Sequence, residues 1–129
     1  MACYVDGFVI CIPTRKIEAY RKMSATAGKV WIKHGALDYK ECVGDDLNTK
    51  FGVPFPKQMS AKKGETVVFA FITFKSRAHR DKVNGKVMKD PEMDCGGEDM
   101  KDMPFDPERM VYGGFKSIVD MTPKKKKAK

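Results

Sequence analysis

An acid that interrupts an apolar strand is the least easily explained residue in this chain. Asp6 sits inside YVDGFVIC, Tyr4 to Cys11, where an unpaired carboxylate would be costly to bury. Two roles fit such a group. It could be a base or a ligand-orienting carboxylate with a raised pKa, or one half of a structural salt bridge, with Arg109 or Lys116 on a neighbouring strand as the cation. The salt bridge is the simpler reading. Glu41, Asp45 and Asp46 form a second acidic group. They lack the spacing of a known cation loop, so they read as a solvated turn or as partners for the basic residues of a second subunit. His34 and His79 have no second His or Cys at ligand spacing, and neither a metal nor a cofactor is expected. Tyr4, Phe8, Trp31, Phe69, Phe71, Phe105 and Tyr112 are many aromatics for a small domain. Core packing explains most of them. Those lining a space between facing sheets would suit a small, flat, partly apolar ligand. The ligand-binding set is then Tyr4, Asp6, Phe8, Glu41, Arg109 and Tyr112, with Asp6 as the catalytic candidate. No motif fixes a reaction, and the sequence leaves open whether the chain is an enzyme.

The elements that would position these groups follow from periodicity. Residues 4–12 alternate, with Tyr4, Asp6, Phe8, Ile10 and Ile12 on one side and Val5, Gly7, Val9 and Cys11 on the other. Pro13 stops this strand and Thr14 offers a helix cap. Ile17, Tyr20, Met23, Ala27, Val30, Trp31 and His34 then recur at steps of three and four, predicting a helix over 15–34 that ends at Gly35. A strand follows over 37–43. Residues 47–65, with Pro54 and Pro56, lack periodicity and predict a lid, an arm or a short extra strand. TVVFAFITF, Thr66 to Phe74, is apolar on both faces and therefore central in its sheet. Ser76 caps a helix over 77–89 that ends before Pro91. A last strand is predicted over 109–119, beside the first.

The class is α+β, with the βαββαβ order of a ferredoxin-like sandwich. Two helices cover one face of such a sheet and leave the other bare. A second copy is the economical cover, which predicts a homodimer.

The chain has 129 residues and a formal charge of +8. That length makes one domain, placed at 1–121. Five of the charges belong to Lys124, Lys125, Lys126, Lys127 and Lys129, which leaves +3 for the rest. Residues 122–129 are expected to be a disordered, solubilising tail, and nucleic acid is not the expected partner. Weak RNA binding through this tail and the stripe Lys82, Lys86 and Lys89 is kept as an alternative, beside a non-catalytic interaction or stress-response role. Cys3, Cys11, Cys42 and Cys95 show no paired spacing and read as small buried thiols of a reducing compartment. With no signal-peptide pattern and no apolar run long enough to span a membrane, the chain is expected to be cytoplasmic.

Five stretches also carry a family resemblance: YVDGFV, GAL followed by ECVGDD, GETVVFAFITFKSRAHRD, DPEM and MPFDPERMVYGGFKSIVD. The chain resembles the YbaA-like family of uncharacterised small bacterial proteins from its start to about Asp120. The resemblance implies the dimeric α/β-barrel fold, in which two ferredoxin-like sheets face each other. It implies no established activity.

Overall fold

The computed structural model describes residues 3–93 and 103–123. Two ten-residue strands, β1 (Tyr4–Pro13) and β3 (Glu65–Phe74), form its spine and pair antiparallel from Tyr4 opposite Phe74 to Pro13 opposite Glu65. The shorter β2 (Asp38–Val43) and β4 (Val111–Lys116) flank them in the order β2-β3-β1-β4, and every pairing is antiparallel. Three helices, α1 (Ile17–Lys33), the single-turn α2 (Phe55–Gln58) and α3 (Arg77–Lys89), complete the α+β fold. The apolar runs of β1 and β3 fit their central positions, since a strand flanked on both edges has little contact with water.

The register assigns the faces. Phe8 lies opposite Ala70 and Tyr112, and Asp6 opposite Ile72 and Gly114, so the even-numbered residues of β1, β3 and β4 share one side with Tyr39 and Glu41 of β2. That side carries the core. Val30 of α1 and Val83 and Val87 of α3 pack with Ile72 and Phe74, against Tyr4, Phe8 and Tyr39. Gly28 is required where α1 crosses β2, because a Cβ there would sit 2.7 Å from the Tyr39 ring. Gly35, at φ +117°, ends α1 as its position predicts.

The opposite face carries Val5, Val9, Phe69, Phe71, Val111 and Phe115, of which Phe69, Val111 and Phe115 are 44%, 56% and 62% exposed. No helix covers it. The segment after β2 closes one end only: Leu47 and Phe55 line a depression together with Val67 and Phe69, and the Cys11 thiol donates to the Met59 carbonyl at 3.6 Å. Cys11 and Val67 are buried for that reason.

Several boundaries differ from expectation. α1 begins at Ile17 after a 3₁₀ turn, Thr14–Lys16, and Thr14 makes no side-chain cap. Residues 47–65 form the one-turn α2 within irregular chain, with no extra strand. β4 is shorter than predicted because Asp106, accepting from the Glu108 amide at 3.0 Å, caps a 3₁₀ turn over Pro107–Arg109. Arg109 therefore lies outside the sheet. Ser76 does cap α3, accepting from the His79 amide at 3.1 Å. Of the cysteines, Cys11 is buried and Cys42 exposed, which corrects its reading as a buried thiol. Cys95 and 124–129 lie outside the described residues.

Candidate ligand site

Tyr20, Met23, Ser24, Ala27 and Trp31 form one stripe of α1, and the sheet opposite presents Phe8, Ile10, Val68, Ala70 and Ile72. The two surfaces do not close fully. They leave a cavity of about 140 Å³, comparable to an engineered apolar cavity of roughly 150 Å³ that admits benzene. Small side chains on both walls, Ala27 and Ala70, account for the gap. Phe105 and Met110, from the segment leading into β4, form its rim, with Phe105 edge-on to Tyr20 at 5.7 Å between ring centres.

One carboxylate interrupts this apolar lining. Glu41, half-buried on β2, accepts from the Tyr20 hydroxyl at 2.6 Å through Oε1 and from the Tyr39 hydroxyl at 2.7 Å through Oε2. Tyr39 and Glu41 share a face because they are two apart on one strand. Burial, reinforced by the Glu41 charge, holds both tyrosine hydroxyls protonated well above their ordinary range. Each therefore stays a donor to Glu41, and the carboxylate keeps a free lone pair on each oxygen for a third group.

Asp6 lies elsewhere on the same face. It is 1% exposed, and its Oδ1 has no hydrogen-bond partner among the described residues. Its counter-charge is neither Arg109 nor Lys116 but Arg80 of α3, at 3.9 Å. Arg80 donates to the Tyr4 hydroxyl at 3.2 Å and the Tyr112 hydroxyl at 3.3 Å, and its guanidinium lies 5.0 Å from the Tyr4 ring centre. Burial raises the Asp6 pKa, while Arg80, Asn84 and Tyr112 pull it back. This is a polar knot among β1, β4 and α3, and Asp6 does not line the cavity.

The six expected ligand residues thus divide. Phe8 and Glu41 line the cavity. Tyr4, Asp6 and Tyr112 belong to the Arg80 knot, with Tyr112 stacked on Phe8 at 4.8 Å. Arg109 belongs to neither: it clamps Glu65 through two nitrogens at 2.8 and 2.9 Å, holding that carboxyl down at about 2. Five of the six sit on the helix-covered face, so they cannot line a space between facing sheets. The reason is that both faces of β1 and β3 are apolar, which leaves alternation without a sign.

Sequence reasoning missed Tyr39, Asn84, Arg80 and Asp90 and gave Tyr20 no polar role. The spacing of Tyr39 and Glu41 along one strand was the available signal for the first. Asp90 joins the ends of α1 and α3, at 2.9 Å from Lys33 and 2.7 Å from His34. Lys33, the Glu92 amide and His34 hold its carboxyl well below the usual range. His34 therefore serves helix packing. Among the described residues no cluster of His, Cys, Asp or Glu could hold a metal ion, and no helix is long and apolar enough to cross a membrane.

Residues 3–107 match the family described as "Protein of unknown function (DUF1428)". The chain is 44% identical over 117 residues to "Uncharacterized protein YbaA" of Escherichia coli (strain K12), covering 91% of this chain and 97% of that protein. The protein of the same name from Shigella flexneri matches to the same extent. Among solved structures, "De novo designed protein Foldit4" covers 93% of this chain and all of its own at a TM-score of 0.42 and 7% identity.

Proposed function

We propose a function from geometry alone, since the chain belongs to the DUF1428 family, described as one of unknown function. The protein is a binder of a small, partly apolar molecule, held between α1 and the sheet in each subunit of a ferredoxin-like, barrel-forming homodimer. The observation that carries the ligand reading is the cavity of about 140 Å³ with a single carboxylate on its wall. A gap of that size between helix and sheet forfeits packing contacts that a filled core would keep, and a ligand restores them.

The strand order β2-β3-β1-β4 with all pairings antiparallel supports the ferredoxin-like reading. The apolar face with Phe69, Val111 and Phe115 exposed supports the homodimer. The free thiols of Cys3, Cys11 and Cys42 suit a reducing, cytoplasmic setting.

Filling the cavity tests the reading. The protein has one tryptophan, Trp31, and it lines the cavity, so its emission reports occupancy. Titration with phenol should shift Trp31 emission in the wild type and not in Ala27→Leu, whose extra methyl groups occupy the space. An identical response in both, with Ala27→Leu folded by circular dichroism, overturns the cavity as the site.

A further inference from the structure

We infer that the cavity takes a small organic cation, an ammonium group on a compact apolar frame, which sits against Glu41 within a wall of aromatic rings. This deepens the ligand-binding reading above and rests on it. Five aromatic residues, Phe8, Tyr20, Trp31, Tyr39 and Phe105, surround the space that Glu41 faces. They come from four parts of the fold: β1, α1, β2 and the segment before β4. Their rings are held against one another, Tyr20 edge-on to Phe105 at 5.7 Å and Trp31 tilted to Tyr39 at 5.9 Å. The outer edge of the tryptophan is fixed too, because its Nε1 donates to the Asn84 Oδ1 at 3.0 Å. An aromatic ring attracts a cation that meets its face through the ring quadrupole, and most strongly when the cation is desolvated.

The charge pattern points the same way. Among the described residues no Lys, Arg or His nitrogen lies within 4.0 Å of the Glu41 carboxylate. Two basic residues beside the cavity are engaged elsewhere. Lys40, its neighbour on β2, turns to the opposite face, 3.7 Å from Asp38 and 5.9 Å from the Phe71 ring centre. Arg21, which lines an adjoining depression with Glu41, bridges Glu18. Two tyrosine hydroxyls orient the carboxylate without neutralising it. A half-buried anion in an apolar wall then has one unmet need, a counter-charge. Anionic ligands meet the opposite condition and are excluded from the same wall.

Choline and its uncharged isostere 3,3-dimethylbutan-1-ol differ in charge and hardly in shape, which makes them the probes. Titrated against the wild-type protein and followed by Trp31 emission, choline should bind at least about tenfold tighter than the isostere, the scale of a desolvated cation–π and ion-pair contribution. Glu41→Gln should lose most of that preference while still binding the isostere. Equal affinity of the wild type for the two overturns the cation assignment and leaves the cavity standing, since the isostere has bound. No response to either probe, or to phenol, brings down the cavity reading and this one together. The wild-type comparison needs no variant, so it decides the matter even if Glu41→Gln does not fold.

Discussion

Asp6 is the residue whose environment makes the sharpest demand. Among the described residues its carboxylate is buried with one oxygen unpartnered and its one cation at 3.9 Å, a geometry too loose to repay full desolvation. Burial therefore wins and the folded-state pKa rises above the ordinary aspartate value. An acid of this kind holds its proton more tightly folded than unfolded. Its contribution favours the fold below pH 3.8 and is lost as pH rises through the folded value. Asp6→Asn should remove that pH dependence and make the protein about 1 kcal/mol more stable at pH 7, measured by urea denaturation at pH 4 and pH 7. Arg80→Met strands the charge and should cost about 3 kcal/mol at pH 7, and less at pH 4. A stabilising effect of Arg80→Met would refute this account. The sequence marked Asp6 as needing a partner, because a charged residue in an apolar strand is conspicuous wherever it lies. The partner was not legible. Arg80 lies 74 residues away on a helix whose rotation about its axis depends on tertiary packing, whereas Arg109, adjacent on paper, pairs with Glu65, and Lys116 makes no ion pair with Asp6.

At the level of elements, the segment from Met103 to Met110 is held by a clamp that titrates. Arg109 pairs with Glu65 at the start of β3 and also donates to the Ser60 carbonyl at 3.1 Å. Arg109, with help from the Lys62 amide, lowers the Glu65 carboxyl from 4.5 to about 2. The folded pKa is depressed, so the clamp's contribution is complete above pH 4.5 and is lost as pH falls through about 2. Hydrogen exchange at the Met110 amide, which donates to the Pro107 carbonyl at 3.2 Å, should therefore accelerate in Arg109→Gln at pH 7, beyond the exchange of β1 amides. Uniform acceleration across the sheet would show that the clamp supports the whole fold rather than this rim. Gly28 sets a second element-level constraint, because α1 can approach β2 only where no Cβ meets the Tyr39 ring. Gly28→Ala gains about 1 kcal/mol of helix propensity and incurs about 2 kcal/mol of overpacking, a net loss near 1 kcal/mol. It should lower the melting temperature by a few degrees and push Tyr39 into the cavity, weakening phenol binding. A melting temperature above that of the wild type would mean that the ring yields freely. β1 and β3 were readable in the sequence as apolar runs, α1 by its steps of three and four, and α3 by the Ser76 cap and the Pro91 stop. β4 was overextended because the Asp106 cap and the Arg109 clamp are local chemistry that alternation does not register.

For the whole molecule the governing fact is an asymmetry between faces. Both long helices pack on the even-numbered side of β1, and residues 47–61 reach only the end near Cys11 and Val67. What remains is an apolar surface on β1, β3 and β4, edged on the β2 side by Asp38 and Lys40. A second copy related by a two-fold axis presents the same surface to itself, which satisfies both faces at once and leaves none over for further growth. Light scattering at micromolar concentration should return about twice the chain mass of 14.5 kDa. The variant Phe69→Glu, Phe115→Glu places two carboxylates at the centre and edge of the face and should return a single chain mass. Because the cavity lies on the opposite side of the sheet, this monomer should still respond to phenol through Trp31, with affinity reduced by less than about tenfold. Loss of binding on separation would instead mean that the partner subunit holds the α1 side of the sheet in place, and a wild type that weighs as one chain would remove the dimer altogether.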